Sequence, residues 1–93
     1  MSTKLTYSDY RNILKHYGIS IPKTRKQMRM KAEKTMANKM CRCVKRIQSR
    51  NESKAIRICT HFLFRRRGLK RGTFRCKPKY DVQMTKTRKN IFA

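Results

Sequence analysis

The chain has 93 residues, of which 27 are Lys or Arg and 4 are Asp or Glu, giving a formal charge of +23. That length allows one small domain, and a 38% hydrophobic content is too high for a purely protamine-like tail yet low for a large core. Self-repulsion on this scale calls for a counter-polyanion. The closely spaced phosphates of DNA or RNA meet that need, although the charge itself carries no sequence information. No run of about 18 apolar residues occurs, so membrane insertion is not expected, and Met1 to Leu14 lacks the apolar block of a secretory signal.

Thr6-Tyr7-Ser8-Asp9 has the form of a capping box, and Tyr10, Ile13, Leu14 and Tyr17 follow on one helical face, predicting a first helix of about ten residues. Gly18 suits the left-handed turn that closes a helix, and Ile19-Ser20-Ile21-Pro22 reads as an extended connector. A second capping box at Thr24 and Gln27 opens the strongest periodic signal, in which Met28, Ala32, Met36, Met40, Cys43 and Ile47 recur at steps of three or four. On another side of this helix, expected from about Thr24 to Gln48, Lys31, Lys34, Asn38, Arg42 and Lys45 recur as a basic face.

A third helix is expected after Ser49 and Glu52, which have capping-box spacing, with Asn51 as an alternative cap. Ala55, Ile56, Cys59, Phe62 and Leu63 form its stripe, widened by Ile58 and Phe64. Arg65-Arg66-Arg67 then complements the helix dipole before Gly68. Leu69 to Cys76 suggests a short extended segment or hairpin. The fold expected is therefore mainly α: a compact three-helix unit over residues 1–76, followed by a basic, mobile tail over residues 77–93 in which only Tyr80, Val82, Met84, Ile91 and Phe92 could pack.

The basic runs supply the candidate phosphate contacts: Lys31, Lys34, Arg42, Lys45, Arg46, Arg65, Arg66, Arg67, Lys70 and Arg71. One isolated run would be an ordinary solvated face, but charge spread over every segment argues against that reading. No residue order matches a zinc-finger reading helix or an RNA-recognition signature, so base-specific readout is not expected. Most aromatic residues lie on apolar stripes, and Phe64 and Tyr80 are the better candidates for exposed stacking.

Cys41, Cys43, Cys59 and Cys76 match the number of ligands in a tetrahedral zinc site. Residues two apart on a helix point about 200 degrees apart, however, which speaks against Cys41 and Cys43 sharing a metal. Small buried thiols are the favoured reading, with zinc and disulfides as alternatives, and no cofactor is expected. His16 and His61 lack acidic partners in sequence. Cys59 and His61 would face different ways on one helix, so no catalytic constellation is found.

Ala32-Glu33, Met40-Cys41-Arg42-Cys43-Val44-Lys45, Ala55-Ile56-Arg57-Ile58-Cys59 and Arg67-Gly68-Leu69-Lys70-Arg71-Gly72 together resemble the small basic, cysteine-containing proteins of nucleocytoplasmic large DNA viruses. The resemblance covers roughly residues 7–77. It implies a virion or viral-factory protein that binds or condenses DNA, with a nuclear or cytoplasmic location as the alternative. It lowers the expectation of a ribosomal protein and admits a structural role bridging acidic capsid or core proteins, with an RNA-binding ribosomal or transcription-associated subunit as a second alternative. It also keeps disulfides in play, because viruses assembling in the cytoplasm can supply an oxidation system.

Overall fold

Thr6 opens the first helix by a reciprocal pair of bonds. Its hydroxyl accepts the Asp9 amide at 3.3 Å, and its own amide donates to the Asp9 carboxylate at 2.8 Å. The computed structural model describes residues 3–47, 52–76, 79–89 and 91. In it, α1 runs Tyr7–His16, and Gly18 at φ +66° turns the chain into the connector. The Thr24 hydroxyl accepts the Gln27 amide at 3.2 Å as α2 begins, and this helix spans Arg25–Ile47. Helix α3 spans Glu52–Leu63; the caps expected at Ser49 or Asn51 lie outside the described residues. A 3-10 turn, Arg65–Arg67, then closes on Gly68 at φ +78°, where an added Cβ would collide with the Arg88 side chain.

The helices cover a three-stranded antiparallel sheet of β1 (Thr3–Lys4), β2 (Leu69–Arg75) and β3 (Asp81–Lys86), in the order β1-β3-β2. Leu69 pairs with Lys86 and Arg71 with Met84, but Phe74 pairs with Val82, so β2 carries one extra residue at Gly72-Thr73. This bulge resets the alternation, so that Leu69, Arg71 and Phe74 all turn toward the helices.

Residues 77–93 were expected as a tail. Instead Asp81–Lys86 form the central strand, because every second residue has an inward partner: Val82 is fully buried, Met84 packs on the core, and the Lys86 ammonium lies 2.9 Å from Asp9. Ile91 is also buried, while Phe92 lies outside the described residues. The core joins Ile13 and Leu14 of α1, Met36 and Met40 of α2, Cys59 of α3, and Leu69 and Val82 of the sheet. The α2 stripe read from the sequence is the one that packs, with Ala37 added to it.

The cysteines differ from the favoured reading. They are not separate buried thiols but two disulfides, Cys41–Cys76 and Cys43–Cys59, with Cα separations of 6.0 and 5.9 Å. Because Cys41 and Cys43 point to opposite sides of α2, one bond ties the helix to the end of β2 and the other ties it to α3.

Asp9 therefore serves two elements, capping α1 and holding β3. Burial alone would raise its carboxyl, but the Thr6 amide and the Lys86 ammonium outweigh that effect and hold it below the ordinary 3.8. Its contribution to stability is thus complete above pH 3.8 and is lost as pH falls through the lower folded value. Asp9→Asn should cost about 3 kcal/mol at neutral pH by stranding Lys86. Urea titrations of the two proteins should converge as the pH is lowered into that range. The crosslinks make a second prediction. Trypsin cuts after Arg42 and separates Cys41 from Cys43, so a non-reducing digest should yield two distinct crosslinked peptides, one for each pair. Replacing either pair by serine should cost about 3 to 4 kcal/mol, from the closed-loop lengths of 35 and 16 residues.

Candidate nucleic-acid interface

Helices α1 and α2 lie side by side and run in the same direction. The Arg25 guanidinium sits 4.9 Å from the Tyr7 ring where both begin, and the Lys39 ammonium sits 5.1 Å from the Tyr17 ring where α1 ends. The connector between them must run back along α2, and Lys31 pins it by donating to the Ser20 carbonyl at 3.2 Å. The result is an open groove of about 1130 Å³ with α2 as its floor.

Lys31, Lys34, Asn38 and Arg42 line that floor. At 1.5 Å of rise per residue they succeed one another every ~5 to 6 Å. Among the described residues, Lys34 and Arg42 have no hydrogen-bond or ion-pair partner, and both are exposed. One wall is the connector, with Ile19, Ile21 and Pro22. The other brings Arg75, Lys79, Tyr80 and Asp81 from the sheet. The Cys41–Cys76 bond sets that second wall, since Cys76 follows Arg75 directly and Cys41 precedes Arg42. Arg75 is further held by Asp81, with Nη2 and Oδ2 2.7 Å apart.

The candidate cations thus divide by location. Lys31, Lys34 and Arg42 share the groove, and Lys45 and Arg46 are exposed in the last turn of α2. Arg65 and Arg66 are exposed on the 3-10 turn, with Arg66 stacked 5.5 Å from the Phe62 ring. Arg67 is half-buried toward the end of α1, where partial burial and its charge lower the His16 imidazole below 6.5. Lys70 is exposed on β2. Arg71 turns inward: it donates to the Thr60 hydroxyl at 3.0 Å and the Gly72 carbonyl at 2.7 Å, and lies 4.8 Å from the Phe74 ring. It braces β2 against α3.

Two aromatic expectations are reversed. Phe64 is not an exposed stacking residue but has 0% exposure, because α3 stops at Leu63 and the chain turns, dropping Phe64 between α3 and β2. Phe62 is 51% exposed, since it sits about 60 degrees round from Cys59 at the margin of the α3 stripe. Tyr80, the other stacking candidate, is half-buried and lines the groove. Sequence reasoning missed the groove contributions of Lys39, Arg75 and the connector. Lys39 carried a usable signal, three residues before Arg42 on the same helix, but nothing local marks Arg75 as a neighbour of α2.

No protein-family model, curated protein or solved structure matches this chain. The chemistry must be read from the residues themselves. Asp9, Glu33 and Asp81, the carboxylates whose side chains are described, are each paired, with Lys86, Arg29 and Arg75 respectively. Cys59 is bonded to Cys43 rather than standing beside His61, and no group of three or more metal-binding side chains occurs among the described residues. The four zinc candidates Cys41, Cys43, Cys59 and Cys76 are bonded to one another as two crosslinks. What remains open to a ligand is positive charge. Reversing the exposed floor with Lys34→Glu and Arg42→Glu should lower affinity for a nucleic acid about tenfold per position at low salt, whereas Lys70→Glu outside the groove should lower it less. Fluorescence anisotropy with a labelled oligonucleotide measures both.

Proposed function

We propose that this protein is a noncatalytic nucleic-acid-binding protein that engages DNA without regard to sequence, using the α2 groove as its principal contact. The observation that carries this reading is the partition of charge: the described carboxylates are spent on internal pairs, while Lys34 and Arg42 stand unpartnered on a concave surface with further cations beside them. An anionic polymer relieves the repulsion among these groups, and a lysine or arginine can meet any phosphate whatever base it carries.

The resemblance to proteins of nucleocytoplasmic large DNA viruses favours DNA over RNA as the partner. It also favours a virion or viral factory as the place of action. Two disulfides fit a particle whose assembly includes an oxidation step.

Binding through about five phosphate contacts predicts that log affinity falls with log salt at a slope near −4 to −5. Duplexes and strands of unrelated sequence should each bind as well as others of their own kind. Affinity that is unchanged between low and moderate salt, or that depends strongly on base order, would overturn this reading.

A further inference from the structure

The groove is asymmetric, and its asymmetry selects among nucleic acids. Along the connector wall Ile19, Ile21 and Pro22 present apolar surface. Along the floor and the opposite wall stand Lys34, Arg42, Arg75 and Lys79. A double helix turns phosphates outward along both strands and keeps its base faces inside, so seating it here would press phosphates against the apolar wall and desolvate them without compensation. A single strand has two different edges, one of phosphates and one of unstacked bases. Those edges match the two sides of the groove.

Dimensions agree with this assignment. The lined stretch of α2, from Gln27 to Arg42, is about 22 Å long, and the floor is one helix about 10 Å across, narrower than a duplex. On the floor, Lys34 and Arg42 stand eight residues apart, about 12 Å of helical rise, with the polar Asn38 between them. Tyr80 closes the cationic wall with a ring on which a base can stack. We infer that the α2 groove is a single-strand site: phosphates lie along Lys34, Arg42 and Lys79, and bases lie between the Ile19–Pro22 connector and the Tyr80 ring.

This inference rests on the nucleic-acid reading above but can fail separately from it. The test uses the full oxidised chain and a labelled thymidine oligonucleotide of about 10 nucleotides, competed by unlabelled strand, duplex of the same length, and polyglutamate at equal charge concentration. Single strand should compete about tenfold better than duplex. Tyr80→Leu, which keeps an apolar side chain at that half-buried site, should weaken single-strand binding at least about fivefold and change duplex binding by less than about twofold, with the thermal midpoint unaltered. Equal or better competition by duplex, or equal losses for both forms in Tyr80→Leu, would overturn the single-strand site and leave the general nucleic-acid function standing. Preferential displacement by polyglutamate would overturn both in favour of an acidic protein partner, and failure of any nucleic acid to bind would overturn both outright.

Discussion

Everything in this small protein is arranged around α2 and the two sulfur crosslinks that leave it on opposite sides. A chain of 93 residues with a charge of +23 gains little core relative to the repulsion it must contain. Cys43–Cys59 binds α2 to α3, and Cys41–Cys76 binds it to the far end of β2, so the unfolded chain is constrained in two places that its modest apolar stripe could not secure alone. The one-residue gap at Arg42 is what sends the crosslinks to opposite sides of the helix, and it leaves Arg42 itself facing the groove.

Scarce negative charge is used inside the fold. Asp9 closes the first turn of α1, neutralises Lys86 on the central strand and so connects the first helix to the last strand. Asp81 steadies Arg75 at the groove wall, and Glu33 pairs with Arg29 one turn away along α2. Several of the remaining cations are placed over aromatic rings: Arg25 on Tyr7, Lys39 on Tyr17, Arg66 on Phe62 and Arg71 on Phe74. A ring face accepts positive charge without an anion and suits a protein with few carboxylates. The surface that results is held in position by weak internal contacts and leaves Lys34 and Arg42 exposed.

The same arrangement bears on the proposed binding. Groove cations repel one another, and a phosphate bound there, as proposed, would relieve part of that repulsion and so favour the fold. The Cys41–Cys76 bond takes part on both sides, because it closes a long loop and also holds Arg75 across from Arg42.

The sequence by itself determined the features that depend on neighbours three or four residues away. The capping box at Thr6 and Asp9, the turns at Gly18 and Gly68, the packed stripe of α2 and the basic ladder from Lys31 to Arg42 were all legible, because helical geometry ties side-chain direction to short spacings. It also determined that Cys41 and Cys43 must diverge, but not what each would meet. Tertiary structure alone decided the cysteine pairing, the central strand drawn from a segment that reads as a charged tail, the burial of Phe64 in place of Phe62, and the second wall of the groove. Each of these depends on groups far apart in the chain, or on where a helix stops. A strand whose hydrogen bonds all go to remote partners leaves little local trace, and a ladder of cations becomes a groove only when another part of the chain comes to stand beside it.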